Sequence, residues 1–342
     1  MKRVLAQRIG SIATVEAEPP LPGEGEAVVR TTYAGICGSD THAVAGHHPL
    51  LPPPYAPGHE AVGVVTRRAS DGSGPEDGTR VVLKPNITCK ECMNCVKGRS
   101  NACQTLTWIG CDPSGAHPGA MADFFLAPGG NLYAVPDGVT DEQAALVECL
   151  ATPVHAARIA GDITGARVVI MGAGTIGLLM LVAARNEGAG SIVMTDLDRS
   201  KLDRALRLGA DGVVDGGDPD APRRVTELLG DLADVVFDCV AMEASARQWT
   251  GMVRRAATIC VVGVPPRDFI VPMPYIQDWE LRIQGCANYN EDDFGHALSL
   301  AHLIPADEII ARSYPLDDAE KAFEMASQHS SGKVLVRGGA TP

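Results

Sequence analysis

From residue 166 onward, short runs of consecutive apolar residues alternate with stretches of helical period. Arg167–Met171 is an apolar run of strand length, and Thr175–Glu187 is apolar almost all round, as a buried helix is. Ile192–Asp196 is the next predicted strand, followed by an amphipathic helix over Arg199–Leu208 with Leu202, Ala205 and Leu206 on one face. Further strands are predicted at Gly212–Asp215, Asp234–Val240, Thr258–Val264 and Leu281–Gly285. Strands alternating with helices predict a doubly wound parallel sheet covered on both faces.

The pattern before residue 140 is different. It is rich in Pro and Gly, with short β-like runs at Ala27–Thr32 and Ala61–Thr66. Thr140 stands three residues before Gln143, a capping-box start for a helix predicted through Ala151. From Asn288 the chain returns to mixed structure and ends on the strand-like Lys333–Arg337. The expected organisation is α/β. A β-rich domain is made from 1–145 and 287–342, with a cysteine lobe at 86–105, and a parallel α/β domain over 146–286 interrupts it.

Composition narrows the function classes. At about 150 residues per domain, 342 residues suggest two. The hydrophobic and charged fractions, 45% and 21%, are those of a packed globular chain rather than a disordered one. A net charge of −13 argues against nucleic acid or an anionic membrane as partner. The longest apolar run, Val168–Ala184, contains three glycines and falls short of the roughly 20 residues a spanning helix needs. Gln7 and Arg8 interrupt the apolar stretch after Met1-Lys2-Arg3, which is not the pattern of a signal peptide. Four of the ten cysteines crowd into 89–103, a spacing that reads as metal binding in a reducing compartment, so a cytoplasmic location is expected.

Gly172-Ala173-Gly174-Thr175-Ile176-Gly177 fits G-x-G-x-x-G at the end of a predicted strand and the start of a predicted helix. In that context the first glycine makes the turn, the second admits a pyrophosphate, and the third lets helix and strand pack closely. Asp196 ends the next strand, where a carboxylate can accept hydrogen bonds from a ribose diol and repel a 2′-phosphate. NAD is therefore expected over NADP, with Arg199 and Lys201 nearby as cations that soften the preference.

Cys89-x2-Cys92-x2-Cys95-x7-Cys103 offers four thiolates for one tetrahedral zinc. An iron–sulfur reading fails on the last spacing and on Gln104, which stands where that pattern carries proline. Four sulfurs leave no open position, so this zinc is expected to be structural. Other chemistry-bearing residues are dispersed: Cys37 in G-I-C-G-S-D, His59-Glu60 after Gly58, and Glu148-Cys149. Spacing alone does not join them.

Taken together, G-I-C-G-S-D-T-H at 35–42, G-H-E at 58–60, the cysteine lobe, the glycine fingerprint, V-V-G-V at 261–264 and G-K-V-L-V at 332–336 resemble the zinc-dependent medium-chain dehydrogenase/reductases over essentially the whole length. The resemblance implies a GroES-like catalytic domain built from both chain ends and a Rossmann nucleotide domain between them. It implies a second, catalytic zinc held by Cys37, His59 and an acid. Glu148 matches the polyol- and threonine-type glutamate, although Cys149 stands where those members usually carry proline, which leaves Glu148, Cys149 or water to complete the shell. Glu60 is a further candidate ligand that the family exchanges with water. Asp40 matches the carboxylate that orients the zinc-bound histidine. Ser39 and His42 match a hydroxyl and histidine that carry the substrate proton to solvent. Val262, Gly263 and Val264, with Thr175, Ile176 and Lys201, fall at cofactor-binding positions.

The implied reaction is NAD-dependent oxidation of a secondary alcohol, a polyol, sugar-like or hydroxylated biosynthetic intermediate, to its ketone. Asn288 replaces the arginine that precedes the tyrosine in sorbitol-type members, which counts against sorbitol itself. An L-threonine 3-dehydrogenase activity is the second enzymatic reading. From other classes, a zinc-ribbon nucleic-acid binder conflicts with the acidic balance. A catalytically inactive cofactor-binding zinc protein conflicts with the intact candidate set. A homodimer or homotetramer is expected from the family.

Overall fold

The computed structural model describes residues 1–48, 51–265, 267–328 and 332–339. The chain divides into two compact units, Met1–Glu148 with Asn290–Pro342, and Cys149–Tyr289.

The first unit is the GroES-like one. Its main sheet runs in the order Ile310–Pro315, Lys333–Arg337, Glu26–Gly35, Glu60–Arg67, Arg80–Leu83, Leu132–Ala134, and Phe124–Pro128 also pairs with Glu26–Gly35. The C-terminal strand Lys333–Arg337 thus lies against a strand from the beginning of the chain, antiparallel, with Leu335 opposite Gly35. Val29, Val65, Leu83, Phe125, Leu132 and Val336 belong to one buried apolar cluster with Ala319, Ala322 and Phe323. The interruption at Gln7 and Arg8 belongs to a hairpin: Lys2–Arg8 pairs with Ser11–Glu16, and Gly10 takes the left-handed φ of 74° that the turn requires.

The second unit is the Rossmann one, a six-stranded parallel sheet. Its order is Gly212–Asp215, Ser191–Asp196, Arg167–Met171, Ala233–Asp238, Val253–Val261, Arg282–Gly285. Numbered within the unit this is 3-2-1-4-5-6, whose switch point lies between the first and fourth strands. The apolar runs become strands because helices cover them: Val169, Val193, Val236 and Ile259 pack with Val225, Trp249 and Met252.

Two expectations needed correction. The helix predicted from Thr140 through Ala151 is two helices, Asp141–Ala145 and Val147–Ala160. Thr140 caps the first by accepting from the Gln143 N–H, as its spacing indicated. The strands predicted to reach Val240 and Val264 stop at Asp238 and Val261. For the first of these the cause is Asp238, a buried carboxylate that draws in the N–H groups of Val240 (2.9 Å) and Ala241 (2.8 Å), the Ser245 hydroxyl (2.7 Å) and the Trp249 indole (3.0 Å). A chain bent around its own carboxylate cannot continue a ladder.

Candidate metal and nucleotide sites

Cys89, Cys92, Cys95 and Cys103 converge with their sulfurs within 4.8 Å of one another. Sγ of Cys89 lies 3.5 Å from that of Cys103 and 4.0 Å from that of Cys95. Zinc–sulfur bonds of about 2.3 Å in a tetrahedron put sulfurs about 3.8 Å apart, so the cradle has the right size. Backbone N–H groups already serve the sulfurs: Cys92 donates to Cys89 (3.3 Å) and Cys89 to Cys103 (3.4 Å). Such bonds hold the thiols of Cys89, Cys92 and Cys103 below their ordinary range. Without a metal, burial and the neighbouring thiols push Cys95 up to about 12. The lobe is tied to its own unit through Glu291, which accepts from the Ser100 hydroxyl (2.6 Å) and the buried Lys84 ammonium (3.2 Å).

A second donor set forms at the end of the central strands. Cys37 follows Glu26–Gly35 and stands immediately before the helix Gly38–Val44, while His59 and Glu60 open Glu60–Arg67 on the neighbouring strand. Ligating atoms of Cys37, His59 and Glu60 lie within 4.8 Å of one another, as do those of Glu60 and Glu148. A thiolate, an imidazole and carboxylates are the mixed donors of a zinc site that retains an open position. The motif glycines are steric. A Cβ at Gly35 would stand 2.1 Å from Glu60 Oε2, and one at Gly58 would stand 2.3 Å from the Met121 nitrogen.

Partners distinguish these side chains. Glu60 is 1% exposed, and Lys333 Nζ lies 2.7 Å from each of its carboxylate oxygens. Asp40, wholly buried, accepts from the Cys37 N–H (3.1 Å) and the Tyr55 hydroxyl (3.2 Å). Its nearest approach to His59 Nδ1 is 3.9 Å, too long for the orienting hydrogen bond expected of it. Cys111 Sγ stands at 3.2 Å from that nitrogen instead. Burial opposes charge on His59, but Cys111 and Asp40 outweigh it and hold the metal-free imidazole well above its ordinary value. Burial pushes the Cys111 thiol up, and His59 opposes that. Cys111 carried no signal in the sequence, because it lies 52 residues from His59 in an irregular loop. Ser39 is half-buried and His42 exposed, three positions apart on one helix and hence on one face.

In the second unit, Gly172 makes the turn at φ 94°. A Cβ on Gly177 would lie 1.8 Å from the Gly172 carbonyl oxygen, whereas one on Gly174 would meet nothing within 4 Å. The helix Thr175–Asn186 begins there, with its first N–H groups free of side-chain caps. This is the open anion cradle that the fingerprint describes. Asp196 Oδ2 accepts from the Ala173 N–H (2.7 Å) and Oδ1 from the Asp198 N–H (2.9 Å), which locks the carboxylate beside the glycine turn. Lys201 lies half-buried on the following helix. The N–H groups of Val262 and Gly263 are held by the Asp238 carbonyl, both at 2.9 Å, and Val264 is exposed. No described helix is long and apolar enough to cross a membrane. All ten cysteines are free thiols.

Comparison with known proteins gives a consistent picture. Residues 23–137 match the family described as alcohol dehydrogenase GroES-like domain, and residues 175–302 match zinc-binding dehydrogenase. The chain is 30% identical to an L-threonine 3-dehydrogenase of Idiomarina loihiensis over 329 residues, 94% of either chain. It is also 30% identical to the sorbitol dehydrogenase of Ovis aries over 324 residues, 93% of this chain and 91% of the other. Among solved structures, a zinc-binding dehydrogenase of Sinorhizobium meliloti 1021 bound to NADP superposes with a TM-score of 0.91 at 29% identity, covering 98% of each chain.

Proposed function

The chain belongs to the zinc-dependent medium-chain dehydrogenase/reductase family, enzymes that act on CH–OH donors, and on that premise we propose that it interconverts a secondary alcohol and its ketone with NAD. The substrate class is a polyol, a sugar-like alcohol or a hydroxylated biosynthetic intermediate. The observation that carries this reading is the convergence of Cys37, His59 and Glu60 in one unit, separate from the four-cysteine lobe. Two donor sets correspond to two zinc ions per chain, one structural and one catalytic.

Cys37 and His59 would hold the catalytic metal, and Glu148, the acid that the resemblance implies and a neighbour of Glu60, would be the third ligand, with Cys149 or water as the alternatives. Glu60 is the weaker candidate because Lys333 engages both of its oxygens. A zinc ion bound there would supply a Lewis acid that lowers the pKa of the substrate hydroxyl. Ser39 Oγ accepts that hydroxyl's proton, and His42, one turn along the same helix, passes it to solvent. With the proton removed, hydride leaves the carbinol carbon for the nicotinamide. Gly172, Gly174 and Gly177, with Thr175 and Ile176 at the helix start, hold the dinucleotide diphosphate. Asp196 accepts from the adenosine ribose and disfavours a 2′-phosphate. Family resemblance supports a homodimer or homotetramer.

The identity to a threonine dehydrogenase favours a second reading, oxidation of a β-hydroxy amino acid through the same residues. NAD reduction over a panel of polyols, simple secondary alcohols and β-hydroxy amino acids separates the two. His59→Ala should abolish turnover while NAD affinity stays nearly unchanged, because metal and dinucleotide residues lie in different units. Equal loss of both would overturn the division of labour.

A further inference from the structure

Asn86 is a buried side chain that the fold does not use. It is 2% exposed, and neither its amide nitrogen nor its amide oxygen has a hydrogen-bond partner among the described residues. Its main chain is pinned: the Asn131 carboxamide donates to the carbonyls of Lys84 (2.7 Å) and Asn86 (2.8 Å). A carboxamide buried with neither of its polar atoms paired to protein destabilises the fold, which marks it as a group available to a ligand.

Its place in the fold says what. Asn86 sits directly opposite Trp108 in the antiparallel pair Asn86–Ile87 with Thr107–Trp108. Side chains directly opposite one another in such a pair project from the same face. The Trp108 ring stands edge-on to the His59 ring, with centroids 5.7 Å apart. The unpaired carboxamide therefore shares a face with the indole that walls the metal-site histidine, one cross-strand step from the Cys37–His59 donor set.

We propose that Asn86 is a specificity-determining residue of the metal site, where its carboxamide binds a second, neutral hydroxyl of the substrate beside the one that is oxidised. This rests on the alcohol-dehydrogenase reading above. A carboxamide donates and accepts together, and a hydroxyl is the group that answers both. A substrate carboxylate would call for a cation at this position, and a substrate ammonium for an anion. The residue selects vicinal diols and polyols over simple secondary alcohols and over β-hydroxy amino acids.

The test compares a diol substrate with the analogue lacking the neighbouring hydroxyl, 2,3-butanediol and 2-butanol being the smallest such pair, in wild type, Asn86→Leu and Asn86→Thr. Wild type should favour the diol. Asn86→Leu should lose about 10–100-fold in kcat/KM on the diol and little on the monoalcohol, because only the diol makes the missing hydrogen bond. Asn86→Thr, which keeps a hydroxyl, should recover part of the loss. The thermal midpoint of Asn86→Leu should equal or exceed that of wild type, since an unpaired buried polar group has been removed. Equal losses on both alcohols, or a lowered midpoint, would show a structural residue and overturn the assignment. Failure of the wild type to oxidise any alcohol of the panel would instead overturn the reading on which it rests.

Discussion

Lys333 Nζ lies 2.7 Å from both carboxylate oxygens of Glu60, across 273 residues of sequence and with both side chains almost fully buried. The same ammonium donates to the Ile36 carbonyl at 3.1 Å. The pair therefore fastens the last strand to the two segments that carry Cys37 and His59.

Breaking this pair on one side should be costly. Lys333→Met leaves the Glu60 carboxylate buried without its cation and should destabilise the protein by about 3–5 kcal/mol. Lys333→Met with Glu60→Leu should cost less than the sum of the single changes. Urea unfolding of the four proteins measures the cycle, and strict additivity would mean that the two groups do not interact.

Cys103→Ser opens a closed four-thiolate cradle. One of two metal ions per chain should be lost, together with stability and solubility, because metal-binding free energy in such a lobe is folding free energy. Metal analysis and the unfolding midpoint report both. A stable variant with its metal content unchanged would refute a structural role for the lobe.

Cys111 offers its sulfur to His59 Nδ1 at 3.2 Å. Cys111→Ala should weaken binding of the second metal by about 10–100-fold, as losing the partner of a ligating histidine does. Competition with a chelator reads this directly. An unchanged affinity would return the orienting role to Asp40.

Cofactor choice should rest on Asp196, whose charged hydrogen bonds to a ribose are worth about 1.5–3 kcal/mol each. Asp196→Ser should weaken NAD and narrow the gap to NADP. It also removes the acceptor for the Ala173 N–H, so the glycine turn should loosen for both cofactors. The measurement is kcat/KM with NAD and NADP in both proteins, and a constant ratio would place the ribose elsewhere.

The Glu291 carboxyl is held below its ordinary value: burial opposes this, but the Ser100 hydroxyl and the Lys84 ammonium prevail. A carboxyl depressed in the folded state contributes stability above its unfolded pKa of about 4.3, and that contribution disappears as pH falls through the lower folded value. Glu291→Gln should therefore unfold more easily than wild type near neutrality, with the difference closing in acid. A difference independent of pH would exclude the carboxylate as its source.

The parallel sheet, the glycine turn and the cysteine lobe were legible in the sequence because each is specified over a short span. Apolar runs of strand length, three glycines within six residues and four thiols within fifteen need only local geometry to act together. Where strands end was less legible, since Asp238 stops one by bonding to groups that follow it. Family resemblance brought Cys37, His59 and Glu148 together, yet no spacing could have joined Lys333 to Glu60 or Cys111 to His59. Those pairs exist because strand register and loop packing bring distant segments to one place, where burial turns each close approach into a strong interaction. The unpaired state of Asn86 is likewise a property of its surroundings. The sequence by itself determined the elements and the chemistry available to them; only the tertiary structure decided which side chains are engaged and which are left for a ligand.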